Sequence, residues 1–483
     1  MDAELKDDTA ASLRQRKAEV PLYLKRIKVY PRAIGGQWRR IKWAALLVLL
    51  GIYYLVPWLR WNRGPGAPDQ AILIDLDGRR GWFFDVVIWP QEVYFVTGFL
   101  ILGAIGLFLA SSLFGRVWCG FACPQTVWTD LFMLVERLIE GDRNQRMRLD
   151  RSPMSVNKAL RKASKHAAWI AIAAATGGAW VFYFVDAPST LAKIFVGTAS
   201  LEVYFFIGLL TATTYTLAGW AREQVCTYMC PWPRFQAAML DEQSVIVTYQ
   251  KWRGEPRGKH KAGDGWAGRG DCVDCSLCVA VCPTGIDIRD GQQIECIGCG
   301  LCIDACNQTM RKVDRPPDLI RWDTLANQQA KDKGAGATWR PLRPRTLLYG
   351  LMLAVAATAM VAAFLLRSDA ELTVQRDRSP NFVRLSDGSI RNAYTVKVLN
   401  KQRSEQTYVL ALDGLPEARL SSVGADPTSG LVVHPDAVGT FRIFVTVPAS
   451  AAPAGSRSID FAVRDAAGQV RASHGAVFIG PER

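Results

Sequence analysis

Two runs of cysteines decide the fold of this chain, 272-CVDCSLCVAVCP-283 and 296-CIGCGLCIDAC-306. In each run two residues separate the first three cysteines from one another, and three residues separate the third from the fourth. Three thiolates spaced in this way wrap one corner of an iron–sulfur cubane, while the fourth points away and binds the other cluster. The runs therefore predict an inserted, bacterial-type double-cluster ferredoxin domain of α+β structure at about residues 262–315, with two [4Fe–4S] clusters as cofactors.

The ligand sets follow from this crossed arrangement. One cluster is predicted to be held by Cys272, Cys275, Cys278 and Cys306, and the other by Cys296, Cys299, Cys302 and Cys282. The small residues Ser276, Gly298 and Gly300 suit loops whose backbone N–H groups approach cluster sulfurs. Two structural zinc sites are the alternative, but zinc motifs usually pair two CxxC knuckles and do not form two runs of four cysteines.

The distribution of cysteine and charge narrows the class of protein. All 12 cysteines lie between Cys119 and Cys306, and their spacings are those of metal ligands, not of a disulfide framework. The formal net charge is +14. A nucleic-acid-binding protein would cluster such charges on a soluble domain. Here the charges follow the loops between apolar segments, so we expect a membrane and not nucleic acid as the partner.

Five apolar runs are long enough to cross a lipid bilayer, which takes roughly 20 residues. None contains a charged residue; the runs are residues 43–59, 93–114, 167–185, 203–220 and 346–366. Buried helices of a soluble core are the alternative, which five uncharged runs of this length disfavour. The sequence predicts a multi-domain membrane protein with an α-helical bundle of five transmembrane helices, four of them within residues 43–220.

Lysine and arginine counts predict the orientation, because cytoplasmic loops carry an excess of both. The numbers of these residues are 10 in 115–166, 18 in 221–345, 4 in 60–92 and 1 in 186–202. We therefore expect a multi-pass protein of the bacterial inner (cytoplasmic) membrane. Its basic N-terminal segment 1–42 and its ferredoxin-containing region 221–345 would face the cytoplasm. A fifth crossing at 346–366 then puts residues 367–483 in the periplasm.

Residues 367–483 alternate apolar and polar side chains, as half-buried strands do. The clearest examples are Tyr394-Val396-Val398, Phe441-Ile443-Val445 and Ile459-Phe461-Val463. Several short strands over about 115 residues, separated by Asp-Gly and Ala-Gly turns, favour a C-terminal immunoglobulin-like β-sandwich. His434 and His474 lie in this region, where a metal-binding role is the less common alternative to an ordinary surface or strand histidine.

A CxxxCP motif follows the second apolar run and another follows the fourth, 119-CGFACP-124 and 226-CTYMCP-231. If each motif is helical, its cysteines at i and i+4 share one face, and the proline suits the first turn of the next helix. The pairs Cys119/Cys123 and Cys226/Cys230 would then converge into one four-thiolate site, which favours copper(I), zinc or iron–sulfur. Met229 adds to the copper preference unless it packs against lipid or core. Inert buried thiols are the alternative for the four cysteines.

These features together resemble a known family. A five-span membrane protein with two CxxxCP motifs resembles the membrane polyferredoxins that accompany nitrate and nitrous-oxide reduction. The double ferredoxin insert before the last span, the exported β-domain and the stretch from Arg376 to Tyr394 make a closer match. On these motifs the chain is identified as a member of the cytochrome c oxidase accessory protein family, the CcoG or FixG type, and the resemblance covers nearly its whole length.

The resemblance implies a membrane-bound iron–sulfur oxidoreductase, a cupric reductase that converts Cu(II) to Cu(I) for assembly of a cbb-type cytochrome c oxidase. It implies oxidase subunits or assembly factors as partners, copper ions as substrate, and catalytic copper handling by Cys119, Cys123, Cys226 and Cys230. An electron relay from quinol or a cytoplasmic donor to another enzyme, and a non-catalytic assembly scaffold, are the alternatives. No GxGxxG fingerprint follows a strand, so the electron donor stays unknown.

Overall fold

The computed structural model describes residues 28–64, 66–260, 265–336, 339–423 and 426–481. Residues 1–27, most of the predicted basic segment 1–42, lie outside the described residues. The chain divides into two compact units, residues 1–358 and 359–483. The first contains both cysteine runs and the apolar helices up to the middle of the last one, and the second contains the predicted β-domain.

Helices make up most of the first unit, and several begin where the sequence supplies a cap or a proline. The side chains of Ser155 and Asp186 accept hydrogen bonds from backbone N–H groups at helix starts, and Pro124 is the first residue of another helix. The helices are α1 (Gln37–Leu55), α2 (Tyr94–Phe114), α3 (Val117–Phe121), α4 (Pro124–Glu140), α5 (Arg143–Arg151), α6 (Val156–Val181), α7 (Ala187–Val196), α8 (Leu201–Thr214), α9 (Trp232–Met239), α10 (Lys251–Gly254), α11 (Leu277–Val281), α12 (Leu301–Lys312), α13 (Leu325–Asp332) and α14 (Pro344–Leu365). Two π-helical stretches, Tyr215–Ala221 and Val225–Met229, follow α8.

Four helices among the described residues are long and apolar enough to cross a membrane: Gln37–Trp58, Pro90–Phe114, Leu201–Ala221 and Pro344–Leu365. They coincide with the first, second, fourth and fifth apolar runs of the sequence. The third run, 167–185, is not among them. The expectation of five transmembrane helices is therefore met for four, and the third crossing stays a prediction.

The composition of α6, which contains most of the third run, explains the difference. Its first half is cationic, and its second half is rich in alanine, which is less apolar than leucine or isoleucine. Trp169 and Ala173 are buried in a cluster with Phe132 of α4. A Cβ atom added to Gly177 would lie 2.9 Å from the carbonyl oxygen of Ile207 in α8. The apolar face of α6 thus packs tightly against neighbouring helices.

The first span begins earlier than the sequence predicts. Because α1 starts at Gln37, Arg39 and Lys42 lie inside the helix, where they are 7% and 3% exposed. Both form ion pairs with Asp130 of α4, at 2.8 and 3.6 Å. A buried carboxylate offsets the cost of removing these cations from water, so the helix extends back past the predicted boundary at residue 43.

Two small sheets accompany the helices of the first unit. Strands β1 (Ile72–Asp75), β2 (Arg80–Phe83) and β3 (Val86–Ile88) form an antiparallel meander between α1 and α2. Strands β4 (Ile246–Tyr249) and β5 (Ile320–Asp323) pair antiparallel, with Ile246 opposite Asp323. Because β4 precedes the first cysteine run and β5 follows the second, this strand pair brings the two ends of the ferredoxin region together.

The second unit is a β-sandwich of two antiparallel sheets, as the alternating pattern predicts. One sheet has the order β10-β12-β8-β6, with β7 also paired to β8, and the other has the order β11-β9-β13-β14. The strands are β6 (Ala370–Arg376), β7 (Val383–Arg384), β8 (Ile390–Asn400), β9 (Gln406–Asp413), β10 (Arg419–Ser422), β11 (Leu431–Val433), β12 (Ala437–Val447), β13 (Ser456–Arg464) and β14 (Val470–Ile479).

The core of the sandwich comes from the predicted inward positions. Tyr394, Ile443 and Phe461 are fully buried, and the hydroxyl of Tyr394 donates to the carbonyl of Val477 on the other sheet, at 2.9 Å. Of the two histidines, exposed His434 lies 2.8 Å from Glu405, and His474 stands opposite Phe461. Neither belongs to a group of three potential metal ligands within the described parts of the chain.

Candidate functional site

The eight cysteines of the two runs line two separate cavities in the ferredoxin region. The first cavity is lined by Cys272, Cys275, Cys278 and Cys306, together with aliphatic side chains of β5 and α12. The second is lined by Cys282, Cys296, Cys299 and Cys302, with Cys278 at its edge. Each set joins three cysteines of one run to the last cysteine of the other, as the spacing predicts. Four thiols around an apolar cavity are a donor set that fits a [4Fe–4S] cluster.

The backbone of the two runs repeats at matching positions. Gly298 and Gly300 have φ of 66° and 72°, and Asp274 and Ser276, at the same offsets in the first run, have φ of 50° and 51°. This left-handed region favours glycine, so the glycines of the second run agree with the sequence argument. Asp274 was not predicted, although its position matches that of Gly298. Its carboxylate accepts a hydrogen bond from Arg289 at 2.5 Å.

Burial favours the protonated form of several of these thiols before a metal binds. It raises the pKa of Cys278 to about 11 and that of Cys306 to about 12. The same cause raises the pKa of Cys296 to about 12. Because thiolates are the ligands, loading of the cavities must release protons to solvent.

The two CxxxCP motifs share a local geometry. Cys119 lies in α3 and Cys226 in the π-helical stretch Val225–Met229. Cys123 and Cys230, the second cysteine of each motif, have extended backbones with ψ of 128° and 122°. The helical turn therefore ends before the second cysteine in both motifs. The two cysteines of a motif do not share one continuous helical face, as the sequence argument assumed; a helical turn followed by an extended residue connects them.

The four thiols of these motifs lie close enough to influence one another's ionisation. Burial raises the pKa of Cys119 to about 12, and the neighbouring Cys123, Cys226 and Cys230 raise it further because their charges would repel its thiolate. Burial likewise raises the pKa of Cys226 to about 11, with Cys123 and Cys230 as the next causes. By contrast, the Met229 side chain is 61% exposed, while all four cysteines are half-buried.

The four thiols of the CxxxCP motifs do not form a group that could hold a single metal ion in the conformation described. Within the described ranges, no three His, Cys, Asp or Glu side chains form a group that could do so. Four cysteines that hold one tetrahedral ion at about 2.3 Å bring their sulfurs within about 4.6 Å of each other. A cubane cluster lies between its cysteine ligands and holds their sulfurs further apart than a single ion does. The absence of a tight group among the described cysteines is therefore compatible with clusters in the two ferredoxin cavities.

The first CxxxCP motif packs directly on the loop of the second cysteine run. A Cβ atom on Gly120 would lie 2.6 Å from the carbonyl oxygen of Gly298 and 2.9 Å from that of Ile297. The guanidinium of Arg116 donates to the carbonyl of Cys296 at 3.2 Å. The four-thiol site therefore borders the second cavity through close backbone contact, which only a glycine at position 120 permits.

A buried cation lies beside both thiol groups. The ammonium group of Lys42 lowers the pKa of Cys226 and also that of Cys299, against the larger effect of burial. Its partner Asp130 holds it at 3.6 Å. Sequence reasoning missed Lys42 because it precedes the first apolar run, where a cation usually marks the membrane boundary.

Three protein-family models match the chain. A 4Fe-4S dicluster domain matches residues 221–325, and a 4Fe-4S binding domain matches residues 96–140, which contain the first CxxxCP motif. A model described as an IG-like fold at the C-terminus of FixG matches residues 360–481. The matches confirm the iron–sulfur and immunoglobulin-like assignments.

Relatives at high identity cover almost the whole chain. The nitrogen fixation protein FixG of Rhizobium meliloti is 48% identical over 471 residues, 91% of this chain and 90% of the relative. Proteins RdxA and RdxB of Cereibacter sphaeroides are 50% and 47% identical, covering 92% and 95% of this chain and 94% and 97% of their own lengths.

Proposed function

Because the chain belongs to the FixG family of iron–sulfur oxidoreductases, we propose that it reduces Cu(II) to Cu(I) at the inner membrane. Copper is the substrate, bound by the thiolates of Cys119, Cys123, Cys226 and Cys230. Soft thiolate ligands prefer Cu(I) to Cu(II), so this donor set stabilises the product oxidation state. Met229 lies at the edge of the site, where its exposed thioether is available to a copper ion that enters or leaves.

One observation carries this proposal, the contact between Gly120 and the carbonyls of Ile297 and Gly298. It brings the proposed copper site next to the cavity of Cys282, Cys296, Cys299 and Cys302, which are the proposed ligands of one cluster. Cys272, Cys275, Cys278 and Cys306 are the proposed ligands of the other. When bound, such clusters supply single electrons, and Cu(II) takes up one.

The convergence of the thiols also supports five crossings. Cys119 follows the end of one candidate span and Cys226 follows the end of another. For both to lie together, both helices must end on the same side of the membrane. The chain between them must then cross once more, and α6 is the long helix in that interval. The lysine and arginine counts support a cytoplasmic ferredoxin region and a periplasmic β-domain.

This topology predicts the location of reporter fusions. Fusions at residues 150 and 300 are expected to report the cytoplasm, and fusions at residues 75 and 470 the periplasm, because α6 makes the third of five crossings. Alkaline phosphatase and a fluorescent protein, active on opposite sides, provide the measurement. A cytoplasmic signal from the fusion at 470 would mean that the number of crossings is even and would refute the topology.

The cellular role that we propose is maturation of a cbb-type cytochrome c oxidase. Its support is the family resemblance together with the chemistry, since copper is delivered to such an oxidase as Cu(I). The β-sandwich is proposed to bind oxidase subunits or assembly factors on the periplasmic side. This cellular role depends on the reductase proposal, because the oxidase would receive the Cu(I) that the reductase produces.

An electron relay is the second candidate, and two observations favour it. The four thiols are not grouped for a single ion, and a 4Fe-4S binding model covers Cys119 and Cys123. In this case the four cysteines would hold a further cluster and the acceptor would be another protein. Iron analysis separates the candidates, because a relay of this kind would contain about twelve irons per chain instead of about eight.

Replacing Gly120 with alanine tests the reductase proposal. Anaerobic protein reduced with dithionite and then freed of it should convert Cu(II) to Cu(I), detected with a Cu(I)-specific chelator. Gly120→Ala should lower the rate at least tenfold, because its methyl group collides with two backbone carbonyls and separates the two sites. Gly106→Ala is the matched control, since a Cβ there meets nothing within 4 Å.

Two results would contradict the proposal. One is a wild-type protein that retains its iron and yields no Cu(I). The other is a Gly120→Ala variant that matches Gly106→Ala in rate while iron content is equal in both. Iron content measured in parallel separates loss of contact from loss of fold.

A further inference from the structure

A cavity of about 370 Å³ lies at the junction of α4, α6 and the π-helical stretch Tyr215–Ala221. Small-molecule sites in proteins usually have about 300–1,000 Å³. Its lining includes Glu136, Lys165, His166, Trp220, Arg222 and Glu223. None of these residues belongs to the cysteine sites described above.

The cavity lies at the end of a candidate membrane span. Trp220 is the second-to-last residue of the span Leu201–Ala221 and is 68% exposed. Exposed tryptophans at span ends mark the boundary between lipid and water. A molecule dissolved in the bilayer can therefore reach this cavity at the level of the lipid headgroups.

Aromatic groups form one wall of the cavity. Trp169 is 3% exposed and stacks on Phe132, with ring centroids 5.4 Å apart. His166 packs edge-on against Trp169, and its Nδ1 atom lies 2.9 Å from the hydroxyl of Tyr215. This hydrogen bond fixes the imidazole ring and leaves Nε2 as its other polar atom. The wall suits a flat ring that carries a hydroxyl group.

The charges of the cavity are already balanced. Every lining cation has a carboxylate partner: Lys28 and Lys162 pair with Asp150 at 2.7 and 2.6 Å, Lys165 with Glu140 at 2.9 Å, and Arg222 with Glu136 at 2.9 Å. An anionic lipid headgroup would have to displace these carboxylates. The pairing therefore favours a neutral ligand over a phosphate.

The cavity also adjoins the four-thiol site. Glu223 lines it, is 8% exposed, and lies three residues before Cys226 in the chain. The backbone just before Glu223 is held by Gln125, whose amide donates to the carbonyls of Leu217 and Arg222 at 2.9 and 3.2 Å. A reductant bound in the cavity would stand next to the proposed redox centre.

We propose that this cavity binds a membrane quinol, which supplies the electrons of the reaction. The ring would pack against Trp220, which lines the cavity and is 68% exposed, and His166 would accept a hydrogen bond from one ring hydroxyl. This inference rests on the proposed function, which supplies Cu(II) as the final electron acceptor. One quinol loses two electrons and two protons to become quinone, and two Cu(II) ions take up one electron each to become two Cu(I).

Both protons have an acceptor in the lining. The first passes from the quinol hydroxyl to Nε2 of His166, whose Nδ1 atom faces the hydroxyl of Tyr215. The second passes to the Glu223 carboxylate, on the side facing the cysteines. Glu136 does not serve, because Arg146, Arg222 and Lys165 hold it as a buried carboxylate.

His166→Phe tests the site by binding and by electron transfer. The full-length protein in detergent is titrated with decylubiquinone, and quenching of tryptophan fluorescence gives the dissociation constant. The variant should bind about tenfold more weakly, as expected for loss of one hydrogen bond in a water-poor site. Tyr215→Phe should weaken binding less, because it frees the imidazole without removing it. His434→Phe, at an exposed histidine of the β-domain, is the matched control.

Reduction with two donors separates this inference from the proposed function. With decylubiquinol as donor, His166→Phe should reduce Cu(II) at least tenfold more slowly than wild type, while with dithionite the two proteins should match. Loss with both donors, or unchanged quinone affinity, would overturn the quinol site. Displacement of quinone by vesicles containing cardiolipin, but not by neutral vesicles, would assign the cavity to an anionic lipid. If the wild-type protein binds quinone but reduces no Cu(II), the proposed reductase function is refuted and the quinol-binding site is retained.

Discussion

Replacing Cys282 with alanine is expected to halve the iron content of anaerobically purified protein, from about eight to about four non-haem irons per chain. Cys282 belongs to the first cysteine run but lines the cavity of the second. Its loss should therefore remove the cluster of Cys296, Cys299 and Cys302. Because that cavity borders the CxxxCP motif, Cu(II) reduction should fall to background while copper binding is largely retained.

Double variants test the crossed ligand sets directly. Cys282→Ala combined with Cys299→Ala should lose no more iron than either variant alone, because both residues serve one cluster. Cys282→Ala combined with Cys275→Ala should lose all the ferredoxin iron, because the two residues serve different clusters. The reverse pattern would show that each run holds its own cluster. Stoichiometric zinc in place of iron would reject the cubane assignment altogether.

The sequence predicts the ferredoxin region well because cluster chemistry constrains it. A cubane needs four thiolates at fixed directions, so cysteine spacing alone identifies the eight residues that line the two cavities. The left-handed backbones at Gly298 and Gly300 follow from the same requirement. Asp274 and Ser276 adopt the same left-handed conformation although neither is a glycine. Their conformation can be predicted only by aligning the first cysteine run with the second.

The membrane part is less predictable because packing between helices overrides hydropathy. Lys42 looks like a boundary residue in the sequence, yet Asp130 holds it inside the bundle beside Cys226 and Cys299. The apolar stretch of α6 is weakened by its alanines, and the close contact of Gly177 with the backbone of α8 leaves no room for a larger residue there. Neither ion pair nor helix contact is visible in a single sequence, since both join residues far apart in the chain.

The same limit explains why the proposed quinol cavity has no sequence signal. Its lining comes from the N-terminal segment, α4, α6 and the residues after α8, and a lone histidine at the start of an apolar run is usually unremarkable. Only the folded chain shows that His166 faces Trp169 and that every nearby cation is paired. The functional elements found from sequence are those with several ligands in one short stretch.

Removing both cysteines of the second CxxxCP motif should abolish copper handling and spare the ferredoxin iron. Cys226→Ala with Cys230→Ala leaves two thiols, Cys119 and Cys123, at a site that four share. Copper binding and the dithionite-driven reduction of Cu(II) should each fall at least tenfold, because thiolates are the ligands that favour Cu(I). Iron should stay at about eight per chain, since neither residue lines a ferredoxin cavity.

Tyr228→Phe is the matched control for this variant, because Tyr228 lies within the same motif, carries no sulfur and is 74% exposed. It keeps all four thiols and should retain the iron and most of the Cu(II) reduction. If the paired cysteine variant instead loses about four irons, the four thiols hold a further cluster and the relay function replaces the reductase. If it changes neither iron nor copper, the thiols are structural, and any Cu(II) reduction takes place at the ferredoxin region itself. Measuring iron, copper and Cu(I) yield on the same preparation therefore assigns the four cysteines to one of the three roles.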